Sequence, residues 1–199
     1  MSTLFLGFLA SHNGSNMQAI IDAIKSGKLD AIPCCLISNN SDSGAMLRAK
    51  KEGVPAYHIS NKLFPNENEF NKAIIETFDK HNVDIIVLAG YMKILSPEVI
   101  HHFKGRVLNI HPALLPKYGG KGMYGKFVHE AVLKAGDKIS GPTVHLVDEH
   151  YDHGRILAQR EVPVYPDDTV ETLAERVLEQ EHVLYPETLN KIAKGIIKI

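Results

Sequence analysis

The segment Asp84-Ile85-Ile86-Val87-Leu88-Ala89 is an unbroken run of apolar residues after one aspartate. A half-exposed strand would alternate apolar and polar residues, whereas a continuous run predicts a strand buried on both faces. The preceding segment, Asn68 to His81, carries apolar residues at 70, 74, 75 and 78, a spacing that predicts one buried helix face. A helix followed by a doubly buried strand indicates an α/β fold with a parallel sheet.

The same alternation of strand and helix runs through the first half of the chain. A further short helix is predicted to open at Ser96-Pro97, because serine is a good N-cap and proline suits the first helical position. The other predicted strands lie at 4–9, 32–37, 56–59 and 107–110, and the other predicted helices at 15–25 and 43–52.

The pattern changes in the second half. A predicted helix at 128–135 is followed by two strand-like runs, 143–147 and 155–164, and then by a final helix at 170–193. Two strands joined by a loop pair most simply as antiparallel neighbours. We therefore expect a doubly wound, mostly parallel sheet with an antiparallel strand addition near the C-terminal part.

Composition argues against several classes of protein. The 199 residues suit a single domain, and 44% hydrophobic with 23% charged residues is ordinary for a soluble globular protein. A net charge of -1 argues against nucleic acid or an anionic membrane surface as partner, and no apolar run is long enough to span a membrane. Cys34 and Cys35 are adjacent in an apolar run, so we expect core thiols and a reducing, cytoplasmic setting.

The segment Asn109-Ile110-His111-Pro112-Ala113-Leu114-Leu115-Pro116 holds the most informative polar residues. Asn109 and His111 lie two positions apart where a predicted strand ends, so their side chains should point to the same face. Ligands bind at the carboxyl ends of strands in open α/β sheets. An amide that can donate to an oxyanion beside an imidazole that can carry a proton suggests acyl-type chemistry. An ordinary strand end with a surface histidine is the alternative.

The loop after the first strand, Ser11 to Asn16, opens the first predicted helix. Free backbone N–H groups and the helix dipole make such a position suitable for an anion. Gly14 allows close approach to the backbone, and Ser15 and Asn16 add side-chain donors. The loop lacks both the G-x-G-x-x-G and the Walker patterns, which favours a single phosphate group over NAD or ATP. A plain turn that caps the helix explains the same residues.

Gly90 to Leu95 follows the central strand. Met92, Ile94 and Leu95 could line an apolar slot for a flat heterocycle, although they could equally be loop residues that close over the core.

His145 to His153 is rich in imidazoles and carboxylates. Those groups bind divalent cations, so a metal-dependent hydrolase built on the His145–His153 cluster is one hypothesis. The segment could instead supply a carboxylate to His111, or be a solvated loop. A third hypothesis is a non-catalytic nucleotide-binding module that uses only the Gly14 loop.

Five motifs occur in a specific order: Asn-Gly-Ser-Asn at 13–16, Leu-Ala-Gly-Tyr-Met-Lys-Ile-Leu at 88–95, Asn-Ile-His-Pro-Ala-Leu-Leu-Pro-Lys-Tyr at 109–118, Tyr-Asp-His-Gly at 151–154 and Gln-Glu-His at 180–182. Together they resemble the phosphoribosylglycinamide formyltransferase family over nearly the whole chain. The resemblance implies a Rossmann-like formyltransferase fold. It also implies formyl transfer from the co-substrate 10-formyltetrahydrofolate to the amine of glycinamide ribonucleotide in purine synthesis. Another formyl-folate enzyme, such as a deformylase, remains an alternative.

The resemblance implies roles for individual residues. Asn109, His111 and Asp152 fall on the family's catalytic trio. Its substrate contacts fall on Gly14, Ser15, Asn16, Gly90 and Glu181. Its folate contacts fall on Met92, Lys93, Ile94, Leu95, Asn109, Val147, Asp148, Glu149 and His150.

The chemistry of these residue types suits those roles. Asn109 would donate to the oxygen on which charge develops, and protonated His111 would stabilise that charge or pass on a proton. Asp152 would orient His111 and raise its pKa. No metal and no covalent nucleophile are expected, and small molecules are the expected partners of a monomer or homodimer.

The resemblance further implies one formyltransferase domain over 1–199. Residues 1–105 would bind the ribonucleotide phosphate, and 106–199 would carry catalysis and the folate. The segment Gly119 to Gly125 is longer than in many members of the family, so no role is assigned inside it. Glu67 stands near the place where some members carry an arginine for the folate's glutamate tail, so Lys62 or another base is a candidate for that contact.

Overall fold

The computed structural model describes residues 3–199, which form a seven-stranded sheet flanked by helices on both faces, with a small second sheet beside it. The strands are β1 (Leu4–Ala10), β2 (Ala31–Ser38), β3 (Ala56–His58), β4 (Ile85–Leu88), β5 (Val107–His111), β6 (Ile139–Ser140), β7 (Thr143–Leu146), β8 (Ile156–Gln159) and β9 (Val162–Pro163). The helices are α1 (Ser15–Lys25), α2 (Gly44–Glu52), α3 (Glu67–Lys80), α4 (Pro97–His102), α5 (Lys126–Ala135) and α6 (Val170–Ala193).

The order of the main sheet is β3-β2-β1-β4-β5-β7-β8. Strands β1 to β5 are parallel, and β7 and β8 continue the sheet in antiparallel fashion. This architecture confirms the predicted doubly wound sheet with an antiparallel addition. The chain places β2 and β3 on one side of β1 and then crosses to β4 on the other side. A crevice therefore opens at the carboxyl ends of β1 and β4.

The sequence prediction was wrong for 155–164, which is not one strand. The segment divides into β8, in the main sheet, and β9, which pairs with β6 in the second sheet. The backbone at Gly141 passes close to the backbone of Arg160, between β8 and β9. A Cβ on Gly141 would lie 1.8 Å from the carbonyl oxygen of Arg160. The apolar pattern continues across this change of partner, so periodicity alone does not reveal it. The two-residue β6 was also not predicted.

The core is divided by the main sheet. One layer packs under α1, α2 and α6 and includes Phe8, Met17 and Tyr185, whereas the other packs under α3 and α4 and includes Phe78 and Phe103. The hydroxyl of Tyr185 donates to the carbonyl of Leu108 over 2.9 Å, so α6 is fixed to β5 by a buried hydrogen bond. No helix among residues 3–199 is long and apolar enough to cross a membrane.

Candidate active site

His111 is the last residue of β5, and the chain after it is held by the antiparallel edge of the sheet. Thr143, which pairs with His111 across the strands, donates its hydroxyl to the Ala113 carbonyl over 2.6 Å and accepts from the Leu115 N–H over 3.0 Å. Gln159 donates to the Leu115 carbonyl over 2.9 Å. The loop that follows His111 is therefore pinned by side chains from β7 and β8.

The two ring nitrogens of His111 have different partners. Nε2 lies 2.7 Å from the backbone carbonyl of Tyr118, to which it donates, since a carbonyl can only accept. Nδ1 lies 3.6 Å from Oδ2 of Asp152, which is longer than a direct hydrogen bond. Nε2 thus uses its hydrogen to bond the backbone, and Nδ1 is the nitrogen that can exchange a proton with a substrate.

Asp152 lies at a tight turn between β7 and β8 and has a left-handed backbone, with φ of 56°. Its Oδ2 accepts from the N–H of Gly120 over 2.9 Å, and its Oδ1 lies 3.5 Å from Nε2 of His145. Gly154 makes the turn possible, because a Cβ there would lie 1.8 Å from the carbonyl oxygen of Leu146. The turn holds the carboxylate between two imidazoles.

Asn109 is connected to the same group through His145, its cross-strand partner. Nδ1 of His145 donates to the Leu146 carbonyl over 2.8 Å, so in the neutral ring Nε2 accepts from the Asn109 amide at 3.2 Å. The Asn109 Nδ2 group carries a second hydrogen, which remains free to bind an oxygen in the cleft. The structure therefore brings Asn109, His111 and Asp152 into one cluster around His145.

Burial lowers the pKa of His111 below its ordinary value. The charge of Asp152 and the Tyr118 carbonyl raise that pKa but only partly offset the burial. Asp152 therefore raises the pKa of His111, as predicted, but burial lowers that pKa by more. For Asp152 itself, burial raises the pKa, but the neighbouring imidazoles of His145 and His111 and the Gly120 N–H outweigh it and hold the pKa of the carboxyl below its usual value.

A cavity of about 690 Å³ opens beside this cluster. Of the residues predicted to bind substrate, Asn16, Gly90 and Glu181 line it, whereas Gly14 and Ser15 do not. The rest of its wall is formed by the ends of β4 and β5, the Tyr151–Asp152 turn and the glycine-rich loop, including Gly120, Lys121, Gly122, Met123, Tyr124 and Gly125.

Glu181 is a nearly buried carboxyl in the wall of the 690 Å³ cavity, with 8% exposure. Its Oε2 accepts from the side-chain amide of Asn16 over 2.7 Å, which joins α6 to α1. Burial raises the pKa of Glu181 to about 7, against the opposing effect of the Asn16 hydrogen bond. The cavity therefore holds a carboxyl group that titrates near neutral pH.

The Gly14 loop is fixed by packing rather than by a side-chain cap. Gly14 is the N-cap of α1 with φ of 69°, and a Cβ on it would lie 2.7 Å from the Ala45 Cβ. Ser11 was not assigned a role from the sequence. Its hydroxyl donates to Asn39 over 2.6 Å and accepts from the Met92 N–H over 2.8 Å, so it ties the loops after β1, β2 and β4 together.

A second cavity of about 130 Å³ adjoins the first. Asn109, Asp152 and Lys93 line both cavities, so the polar cluster lies where they meet. Met92 and Ile94, predicted to contact folate, line the first cavity, and Ile94 also lines the second. The remaining predicted folate contacts all line the second cavity, namely Leu95, Val147, Asp148, Glu149 and His150.

The His145–His153 segment does not form the ligand set that the hydrolase hypothesis requires. Asp148 accepts from the backbone N–H of His150, and the rings of His150 and His153 are 6.0 Å apart. Among residues 3–199, no group of three or more histidine, cysteine, aspartate or glutamate side chains is arranged to hold a metal ion.

Three residues of the site escaped the sequence reasoning. His145 was considered only as a metal ligand, and Tyr118 and Gly120 were given no role. A signal for His145 is its position inside the predicted strand 143–147, where alternate side chains point to opposite faces, and the residue is 2% exposed. A backbone carbonyl and a backbone N–H carry no residue-specific signal, which explains why Tyr118 and Gly120 were missed.

The structure thus places an amide, an imidazole and a carboxylate together beside two adjoining cavities of an α/β fold. The chain belongs to the formyl transferase family, whose model, described as "Formyl transferase", matches residues 6–189. It is 41% identical over 194 residues to the phosphoribosylglycinamide formyltransferase of Haemophilus influenzae, covering 98% of this chain and 89% of that protein.

Two further comparisons agree. The chain is 44% identical to the chloroplastic phosphoribosylglycinamide formyltransferase of Vigna unguiculata, and it spans 61% of the length of that relative while 95% of this chain is covered. The crystal structure of glycinamide ribonucleotide transformylase 1 from Symbiobacterium toebii superposes with a TM-score of 0.92 at 36% identity, covering 99% of this chain and 91% of that one.

Proposed function

We propose that this chain transfers a formyl group from 10-formyltetrahydrofolate to the amine of glycinamide ribonucleotide, a reaction of purine synthesis. The observation that carries the proposal is that Asn109 and Asp152 line both cavities and that His111 lines the larger one beside them. A donor amide, an imidazole and a carboxylate in this position suit transfer of an acyl-type group between two bound molecules. The names of the similar proteins supply the two substrates.

The larger cavity would take the ribonucleotide. Gly14 and Ser15, at the N-terminus of α1, would meet its phosphate through backbone N–H groups, because an anion is favoured at a helix N-terminus. Asn16 and Gly90 would contact the remainder of the ribonucleotide. Glu181 lies in the wall of the same cavity and would bind the reacting amine, since a carboxylate accepts hydrogen bonds from an amine or pairs with it when charged.

The smaller cavity and the loop of Met92 and Ile94 would take the folate. Its wall combines Ile94, Leu95 and Val147 with Asp148, Glu149 and His150, so it offers apolar contact for a flat ring together with polar groups at its rim. Lys93 lines both cavities and carries a positive charge that suits a carboxylate of the folate.

The reacting groups would act through hydrogen bonds and charge. The neutral amine attacks the formyl carbon, and negative charge develops on the formyl oxygen. The bond between that carbon and the folate nitrogen then breaks as the carbonyl re-forms, and the proton that the amine loses passes to the folate nitrogen, so that tetrahydrofolate leaves. The free hydrogen on Asn109 Nδ2 would donate to that oxygen. Nδ1 of His111 would hold a proton there, with Asp152 as the anion that favours the charged ring. Burial keeps His111 neutral in the free protein near pH 7, so the proton would arrive with the substrates.

We infer that the chain works as one domain over 1–199, with 1–105 supplying the phosphate contacts and 106–199 supplying the catalytic trio. Both halves contribute to the folate side, because Met92 to Leu95 belong to the first. Every group that the proposal uses comes from one chain, so it holds for a monomer or a homodimer acting on small molecules. A cytoplasmic location remains a prediction from the sequence, since the plant relative is named as chloroplastic.

An absorbance assay with 10-formyltetrahydrofolate and glycinamide ribonucleotide tests the proposal. We expect the loss of formyl-folate absorbance only when both substrates and the protein are present. His111→Ala should abolish turnover and leave ribonucleotide binding within about threefold, because its imidazole acts mainly in the transition state. An equal loss of formyl-folate in the absence of the ribonucleotide would show that the protein hydrolyses formyl-folate and does not transfer the formyl group, which would overturn the proposal.

A further inference from the structure

His111 is held on the side away from Asp152 by one backbone atom, the carbonyl oxygen of Tyr118. The distance from Nε2 is 2.7 Å, which is a short hydrogen bond for a neutral donor and acceptor. That contact selects the neutral tautomer with hydrogen on Nε2 and directs Nδ1 towards Asp152. The position of the Tyr118 carbonyl therefore determines which nitrogen of His111 is available to the substrates.

The backbone at Tyr118 does not adopt that position by intrinsic preference. Its φ is 56°, in the left-handed region that a tyrosine rarely occupies, so the surrounding structure must supply the restraint. The Tyr118 ring packs against a small apolar cluster that includes Val132 and Val162. Its hydroxyl donates to Oδ2 of Asp137 over 2.9 Å. The ring and the hydroxyl together fix the side chain, and through it the backbone.

Asp137 lies just after α5 and has two partners on the same oxygen. Besides the Tyr118 hydroxyl, it accepts from Nζ of Lys117 over 3.1 Å. The lysine side chain is 68% exposed, so its ion pair with Asp137 contributes little, whereas the tyrosine hydroxyl is half-buried. Hydrogen bonds from Lys117 and Tyr118 hold the pKa of Asp137 below its usual value, which keeps the carboxylate charged as an acceptor.

We propose that Tyr118 and Asp137 are positioning residues that fix the tautomer and orientation of His111 through the Tyr118 carbonyl. Neither side chain belongs to the proposed catalytic trio or to the walls of the two substrate cavities. They line a separate cavity of about 360 Å³. This positioning role extends the proposed function. It depends on that function only in the experiments that measure turnover.

Four single variants test this role. Tyr118→Phe and Asp137→Ala each remove the hydroxyl–carboxylate bond, and each should lower kcat about tenfold with KM values within about twofold, because a small misplacement of a reacting group is costly. Asp137→Asn keeps an oxygen acceptor and should restore most of kcat. Lys117→Met is the matched control: it removes the exposed partner of Asp137 and should leave kcat within about twofold.

Two readouts separate positioning from general loss of structure. The limb of the kcat–pH profile that reports the titration of His111 should move to lower pH in Tyr118→Phe, since the Tyr118 carbonyl raises the pKa of His111. The double variant Tyr118→Phe/Asp137→Ala should lose no more activity than either single variant, because both remove one interaction.

A further readout uses the free folded protein without substrates. Nitrogen NMR of the histidine rings should show His111 as a single Nε2–H tautomer in the wild type and as a mixture in Tyr118→Phe. Unchanged ring signals with an unchanged pH profile would overturn the proposal, as would an effect of Lys117→Met equal to that of Tyr118→Phe. If the ring signals change but no formyl transfer is found, the positioning role stands and the proposed function fails.

Discussion

Oδ2 of Asp152 lies 3.6 Å from Nδ1 of His111, close enough for charge to act and too far for a direct hydrogen bond. The carboxylate is kept there by the Gly120 N–H, so it does not depend on His111 for its position. Its contribution is therefore its negative charge. Asp152→Asn should leave the fold intact and lower the pKa of His111 further, because the charge that favours the imidazolium is removed.

For Asp152→Asn we expect kcat to fall about 100-fold with KM values within about threefold, as for loss of an assisted proton transfer. Steady-state kinetics across pH would measure both. Asp79→Asn is a suitable control, since Asp79 is an exposed carboxylate paired with His102 and is remote from the cavities. A variant with wild-type kcat at every pH would exclude an electrostatic role for Asp152.

Asn109 should be the stronger test of oxyanion stabilisation. Asn109→Ala removes the donor to the developing charge, and such losses typically lower kcat about 100- to 1000-fold. Single-turnover kinetics with both substrates saturating would isolate this step. His145 also loses a partner in that variant. Its ring signals should be checked, and a loss of activity that follows His145 disorder instead of the missing donor would contradict the assignment.

Glu181 should make stability fall as pH rises. Its folded pKa of about 7 exceeds the ordinary value of 4.5, so between those values the folded protein keeps a proton that the unfolded chain releases. The free energy of unfolding then decreases through that window. Glu181→Gln mimics the protonated group and should be more stable than wild type by about 3 kcal/mol at pH 8, but by less than about 1 kcal/mol at pH 5.

Urea unfolding at the two pH values measures this difference. The same variant should bind the ribonucleotide more weakly, since it lacks the charge proposed to meet the amine. Equal stability of Glu181→Gln and wild type at pH 8 would show that the carboxyl is not held neutral by the fold.

His129 should make stability fall as pH falls, which is opposite to the effect of Glu181. It is 4% exposed on α5, and its Nδ1 has no hydrogen-bond partner within residues 3–199. Burial, followed by the charge of His111, lowers its pKa from 6.5 to about 4. Between those values the unfolded chain binds a proton that the folded protein does not, so stability is lost as pH falls. His129→Leu should remove that loss and exceed wild type by about 2 kcal/mol at pH 5 relative to pH 8. An identical pH dependence in the two proteins would contradict it.

The fold was predictable where the burial of a strand or helix leaves a pattern in its own sequence. The run from Asp84 to Ala89 and the helical spacing of 68–81 reflect a doubly covered parallel sheet, and both elements appear within a residue or two of the expected bounds. The division of 155–164 was not predictable, because β8 and β9 present similar apolar residues to two different sheets. A change of pairing partner is set by the close passage at Gly141, a tertiary contact.

The site was predictable in its side chains and not in its backbone. Asn109, His111 and Asp152 carry distinctive functional groups in motifs, and the structure brings them together. The atoms that orient them include the Tyr118 carbonyl and the Gly120 N–H, backbone groups that do not identify a residue type. The pKa of His111 could not be predicted from the sequence either, because it depends on how deeply the ring is buried.

The most direct test of the central claim follows the formyl group itself. The protein would be incubated with 10-formyltetrahydrofolate carrying carbon-13 in the formyl group, with and without glycinamide ribonucleotide, and the products examined by carbon NMR. We predict that the label appears as a formamide on the ribonucleotide amine, that free formate stays at the level without protein, and that His111→Ala forms no labelled product. Release of labelled formate at the same rate with or without the ribonucleotide would contradict formyl transfer.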